Sequence, residues 1–222
     1  AIGAAKILYY KKTKSKQKFA QKNIYYGVQY SDKEILSKLK KEKTKRASVR
    51  DVARLLSQNK IVALFQGRSE AGPRALGNRS ILFNPKNKNG RDIVNKIKRR
   101  EFYRPFAGTV LHEYMDEYFE MEGLEESPFM MYAVNVRKDK VEEIPAITHV
   151  DNTCRVQTLK KEFNKNFYDI IKSFYNITNT PILLNTSFNL AGEPMVESIT
   201  DALNTLHGSQ IDYLYLPEYK IL

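Results

Sequence analysis

Four short segments concentrate the residues that could do chemistry. The first is G-R-S-E-A-G-P-R-A-L-G-N, 67–78, followed at once by Arg79. Gly67, Gly72 and Gly77 lie five apart, which matches neither a dinucleotide fingerprint nor a P-loop. Glycines still let backbone N–H groups approach an anion, and the forks of Arg68, Arg74 and Arg79 suit phosphate oxygens. The competing account is a turn-rich connection whose arginines pair with Glu70 and other acids. The density of arginines beside glycines favours phosphate.

The second segment is K-R-R-E-F-Y-R-P-F, Lys98–Phe106. Lys98, Arg99 and Arg100 close a helix, where cations suit the macrodipole. Arg104 lies beyond it, before Pro105, where the backbone is stiffened. Arg104 is therefore expected to face a ligand and Arg99 to be structural. The third segment is His149–Leu159, in which Arg155 interrupts a strand otherwise fit for burial. A buried arginine wants an anion or a carboxylate such as Asp151. Cys154 reads as a small buried apolar residue. In the fourth, Leu184–Glu193, polar Asn185, Thr186 and Ser187 follow an apolar strand. Ligands of open α/β sheets sit at the carboxyl ends of strands, and amides and hydroxyls there can hold a carbonyl, an amide or a base. A plain turn with local side-chain caps is the alternative. The chain shows no nucleophile elbow, and His112, His149 and His207 are too scattered for a zinc motif. The excess of cations and amides suits an enzyme that positions phosphate-bearing substrates rather than one with a side-chain nucleophile.

Alternating strands and helices must carry these segments. Ser31-x-x-Glu34, Ser48-x-x-Asp51 and Ser198-x-x-Asp201 read as capping boxes, each opening a helix. Strand patterns lie at Ile61–Gln66, Arg79–Phe83, Phe106–Leu111, Tyr132–Arg137, Arg155–Leu159, Pro181–Leu184 and Ile211–Leu216. Helical periodicity marks Asn89–Arg100 and Lys160–Ile177. Glu113–Glu126, with seven acids, reads as a surface helix and loop. Ala1–Lys12 reads as a helix with Ile2, Ala5, Leu8 and Tyr9 on one face, and Lys11–Lys18 as a polar linker. No internal repeat appears, so one α/β domain is expected from about Ser48 onward.

With 42% hydrophobic residues among 222, the chain can bury a core, which excludes general disorder. Its apolar runs, such as Ile61–Phe65, are far shorter than the roughly 20 residues of a membrane span. A single cysteine and the lack of a signal-peptide pattern point to a cytoplasmic protein with no membrane partner. Of the net charge of +12, the stretch Lys6–Arg46 carries +11, with thirteen lysines and one arginine among interleaved aromatics. That mixture admits RNA binding, but a solvated lysine-rich helix and linker is the preferred reading.

The four segments, in this order, resemble the carboxy-terminal domain of the O-carbamoyltransferases of nodulation-factor and antibiotic biosynthesis. The resemblance covers roughly Phe19 to Leu222. Residues 1–18 are similar to the last helix of the family's preceding actin-like domain plus a linker, and 19–222 to its YrdC-like domain. It implies an α/β fold, a YrdC-like twisted mixed sheet flanked by helices. It implies an enzyme that uses carbamoyl phosphate and ATP, with magnesium, to form carbamoyl adenylate and pyrophosphate. The actin-like domain, in cis or in trans, would then carry the carbamoyl group to a hydroxyl with the help of iron, to which no residue here corresponds. By the same resemblance Lys98, Arg104 and Arg155 serve catalysis, and Arg74, Arg79, Asn185 and Ser187 bind substrate or nucleotide. Two rival readings are an RNA-binding module and a nucleotide-binding remnant without catalysis.

Overall fold

The computed structural model describes residues 2–15 and 23–222. The expected domain boundary at residues 18 and 19 lies outside them. In chain order the elements are α1 (Ile2–Thr13), α2 (Asp32–Leu39), α3 (Val49–Ser57), β1 (Val62–Phe65), β2 (Arg79–Phe83), α4 (Gly90–Ile97) and β3 (Ala107–Leu111). There follow α5 (Met115–Tyr118), β4 (Phe119–Glu120), β5 (Tyr132–Val136), β6 (Thr153–Leu159), α6 (Lys165–Thr178), β7 (Ile182–Ser187), α7 (Ile199–His207) and β8 (Tyr213–Tyr215).

The strands form one mixed sheet in the order β4-β5-β6-β3-β7-β2-β1-β8. The central strands β1, β2 and β3 are buried on both faces because helices cover both. Val52, Ala53 and Leu56 of α3 and Phe167, Ile170, Ile171 and Phe174 of α6, recurring at helical spacing, bury one face. Ile35 and Leu39 of α2, Val94 and Ile97 of α4, and Ala202 and Leu203 of α7 bury the other. All three expected capping boxes form, each with the serine hydroxyl accepting from the third helical N–H and that residue's carboxylate accepting in return. Asn179, in the left-handed region with φ 59°, ends α6.

The helix expected at the start of the chain forms as Ile2–Thr13, with none of its described residues buried. One expectation is corrected. The stretch Glu113–Glu126 holds a one-turn helix and the short edge strand β4, and it buries Tyr118, Phe119 and Met121. These apolar residues face the core while the acids between them face water, so acid content masked a strand.

Strand direction positions the site. β1 and β7 run one way; β2, β3 and β6 run the other. The loop after β1, the segments leading into β3 and β6, and the segment after β7 therefore meet at one end of the sheet. All four segments singled out in the sequence lie there.

Candidate anion-binding site

The amides of Ala71, Leu76, Gly77 and Asn78 in the loop 67–78 are taken up by the protein itself. Glu70 lies inside it, 5% exposed, and its Oε1 accepts from the N–H groups of Leu76 (2.7 Å), Asn78 (2.8 Å) and Arg79 (3.4 Å). The protein's own carboxylate thus stands where an external anion was expected. Burial raises the carboxyl's pKa, against the lowering effect of those amides. Gly77 has φ +108°, and a Cβ added there would collide with the ring of Phe167, so no side chain fits. Segment 23–28 straps the loop. Ala71 N–H donates to the carbonyl of Ile24 (2.7 Å), Gly27 N–H to that of Ser69 (3.0 Å), and Arg68 to that of Gly27 (3.0 Å).

Arg79 belongs to this scaffold. It is fully buried, stacked 3.7 Å from the centre of the Phe65 ring. Its guanidinium donates to the carbonyls of Gln66 (2.6 Å), Asn78 (3.0 Å), Gly67 (3.2 Å) and Glu197 (3.1 Å). Those bonds tie β1, the loop and the start of α7 together and leave Arg79 turned away from a ligand. The substrate-facing role expected for it is thus not what its geometry favours.

Lys98, Arg100 and Arg104 surround a cavity of about 660 Å³ with Ser187, Asn189 and the turn Leu190–Gly192. Lys98 is 3% exposed, and its Nζ donates to the carbonyls of Ser187 (2.5 Å) and Asn189 (2.8 Å) and to Asn189 Oδ1 (3.0 Å). Ser187 Oγ lies 3.3 Å from the same nitrogen and donates to Asn189 Oδ1 (2.6 Å). Burial, then the charge of Arg100, pulls the Lys98 ammonium down to about 7. Arg100 turns inward over the Phe106 ring at 4.3 Å. Burial, then Arg104 and Arg155, pulls its guanidinium down to about 10. Arg104 is half-exposed at the rim and ion-paired to Glu101 (2.7 Å). Arg99, in the left-handed region with φ 53°, donates to the carbonyl of Gly208 (2.5 Å), a structural role as expected.

Arg155 and Arg74 complete the cationic run. Arg155, on β6, pairs across the sheet with Ala107, which pairs with Asn185. Asp151 is not its partner: that carboxylate accepts from the N–H (3.0 Å) and hydroxyl (2.7 Å) of Thr153. Among the described residues neither Arg155 nor Arg74 has an ion pair, and the Nε of each is buried without a hydrogen-bond partner. Burial and the nearby charge of Arg74 hold Arg155 below the ordinary arginine value. Asn185, 1% exposed, donates to the carbonyl of Ala75 (3.1 Å), to Thr109 (3.0 Å) and to Gln157 (3.2 Å); its Oδ1 has no partner. Cys154 is buried as expected, its thiol pushed up to about 12 by desolvation.

Five cations therefore converge with little counter-charge, which is the pattern of a site built for a polyanion. Of the residues expected from sequence, the structure brings together Lys98, Arg104, Arg155, Arg74, Asn185 and Ser187 at this end of the sheet. Sequence reasoning missed Arg100 and Asn189. Asn189 was legible as the second amide of N-T-S-F-N, but Arg100 could not be told from its neighbours in a basic helix end. No group of three or more His, Cys, Asp or Glu that could hold a metal ion occurs among the described residues. No helix of the described residues is long and apolar enough to cross a membrane.

Residues 53–222 match the family described as the carbamoyltransferase C-terminus, and the chain belongs to that family. It is 44% identical over 171 residues to the nodulation protein NolNO of Sinorhizobium fredii, covering 76% of this chain and 25% of NolNO. It is 38% identical over 146 residues to the 3'-hydroxymethylcephem-O-carbamoyltransferase of Amycolatopsis lactamdurans, covering 66% of this chain and 27% of that enzyme. The chain thus spans about a quarter of the length of these relatives. Full-length HypF, in its phosphate- and nucleotide-bound form, superimposes with a TM-score of 0.53 at 20% identity, over 76% of this chain and 24% of HypF. The shared fold is YrdC-like.

Proposed function

We propose that this carbamoyltransferase domain binds carbamoyl phosphate and ATP and makes carbamoyl adenylate. The observation that carries the reading is the pair Arg74 and Arg155, two neighbouring guanidinium groups with buried, unpartnered Nε atoms and, among the described residues, no ion-paired carboxylate. A protein does not keep such a pair for stability, because unpaired buried charge is costly. A bound phosphate dianion satisfies both.

In this reading water cleaves carbamoyl phosphate to carbamate and phosphate. A carbamate oxygen then attacks the α-phosphorus of ATP, the bond to the β-phosphate oxygen breaks, and pyrophosphate leaves. Lys98, Arg100 and Arg104 hold the triphosphate and offset charge as pyrophosphate departs. Asn185 Oδ1 is an acceptor left over for the carbamoyl N–H. Ser187 and Asn189 fix the Lys98 ammonium. Magnesium bound with ATP would offset triphosphate charge; among the described residues no carboxylate cluster offers it ligands, so phosphate oxygens and water would hold it and no residue of this chain is assigned to it. HypF, with its bound phosphate and nucleotide, supports the ligand class. Delivery to a hydroxyl acceptor, the activity named for the cephem enzyme, falls to an actin-like domain with its iron, in cis or in trans.

The test is pyrophosphate release by the purified chain with ATP, magnesium and carbamoyl phosphate, each omitted in turn. Release that requires both substrates is expected. Release from ATP alone contradicts the reading. No release from folded protein leaves completion by the actin-like domain, tested by adding that domain.

A further inference from the structure

We infer that Asn95 is a positioning residue that aims the anion-binding turn. Asn95 lies on α4, is 1% exposed, and touches the cavity-lining residues named above only at Arg100 and Arg104. Its side chain makes three hydrogen bonds, all to the turn that follows its helix. Oδ1 accepts from Arg100 Nε (2.6 Å), while Nδ2 donates to the carbonyls of Phe102 (3.0 Å) and Arg104 (3.0 Å). Its backbone carbonyl also accepts from the N–H of Arg100 (3.1 Å).

The turn has reason to move without that clamp. Arg100 sits beside Lys98, Arg104 and Arg155, and each of these charges opposes it. Among the described residues, Asn95 Oδ1 is the one hydrogen-bond acceptor of the Arg100 guanidinium, and the Phe106 ring face is its other support. Glu101, the nearest acid, is ion-paired to Arg104 instead. The turn itself begins at Arg99, a non-glycine residue at φ 53°, and carries the exposed rings of Phe102 and Tyr103. Neither ring anchors it. One buried amide thus sets both the direction of Arg100 and the backbone from which Arg104 projects. Only an amide does this: Arg100 needs an acceptor and the two carbonyls need donors. Aspartate keeps the acceptor and faces the carbonyls with oxygen; alanine removes all three bonds.

The inference rests on the anion-site reading, so the experiment separates the two. Pyrophosphate, the proposed leaving group, is titrated calorimetrically into the wild-type chain, Asn95→Ala, Asn95→Asp, Arg104→Ala and the double variant Asn95→Ala/Arg104→Ala, each checked for cooperative melting. Removing a clamp that orients two cations is expected to weaken binding about tenfold in Asn95→Ala, since misplacement of charged groups is costly. Asn95→Asp should fall between the wild type and Asn95→Ala. The double variant should bind no more weakly than the weaker single variant, because both changes disable the same turn. Unchanged affinity in a folded Asn95 variant overturns the inference, and so do fully additive losses. If Asn95→Ala does not fold, Asn95→Asp alone decides in the same terms; if neither folds, the residue is structural and the inference falls. Absence of binding by the wild type overturns the anion-site reading, and the inference with it.

Discussion

Arg79 and Arg155 are both arginines on inner strands of one sheet, near the same end, and their surroundings are opposite. Arg79 meets four backbone carbonyls and an aromatic face, and the acids Glu70 and Glu197 lie near it. Arg155 meets another arginine and has a buried nitrogen without a partner. The difference teaches that a buried cation is not by itself a sign of a binding site. What distinguishes a ligand-directed arginine is a donor left without an acceptor. Arg79 ties β1, its loop and the start of α7 together; among the described residues Arg155 keeps a buried donor without an acceptor.

The largest effect should come from removing the unfilled member. Arg155→Met should lower pyrophosphate release by about a hundredfold, the loss of a fixed charge on a reacting phosphate. Its melting temperature should hold or rise, because an unpaired buried charge is relieved. A release assay and a thermal melt on one preparation check both halves. Arg79→Met should invert the pattern. Stranding its carbonyl acceptors costs roughly 3–5 kcal/mol, which for a chain of this size lowers Tm by about 10 °C. Below its melt the substrate KM should stay within about twofold; a wild-type melt would show that Arg79 is not the tie described.

Lys98 sharpens the contrast through pH. Its ammonium titrates near 7 in the free protein, and a bound anion favours the charged form. Anion affinity should therefore fall by up to about tenfold per pH unit as pH rises above about 7. Stability of the free fold moves the other way. A depressed lysine binds fewer protons folded than unfolded, so stability rises with pH between about 7 and the ordinary lysine value. Titrations and melts across that range read both slopes; a flat affinity profile would remove Lys98 from the site. Smallest of all, Ser48→Ala removes a capping box remote from the cavity. It should cost about 1 kcal/mol of stability and leave pyrophosphate release unchanged.

Much of this was legible in the sequence because local chemistry is local. The capping boxes at Ser31, Ser48 and Ser198 form as written, and the inner strands follow their apolar runs. The four polar segments flagged for chemistry do meet, since each adjoins a strand at the same end of the sheet. What stayed hidden depends on distant partners. Arg79 looked like a phosphate ligand until Glu197, far along the chain, supplied its carbonyl. Glu70 looked like an ion-pair partner, but it caps its own loop's amides. Arg100 was one cation among several until Asn95 gave it a direction. The short strand β4 was masked by acids that face water around two buried aromatics.

The most direct test is equilibrium binding of ATP and of carbamoyl phosphate to the wild-type chain and to Arg155→Met, by calorimetry at low and high salt. The wild type should bind both, more weakly as salt rises, and folded Arg155→Met should lose carbamoyl phosphate binding by at least about tenfold. Equal binding of carbamoyl phosphate by the two proteins would contradict the claim that the unpartnered arginines form the anion site.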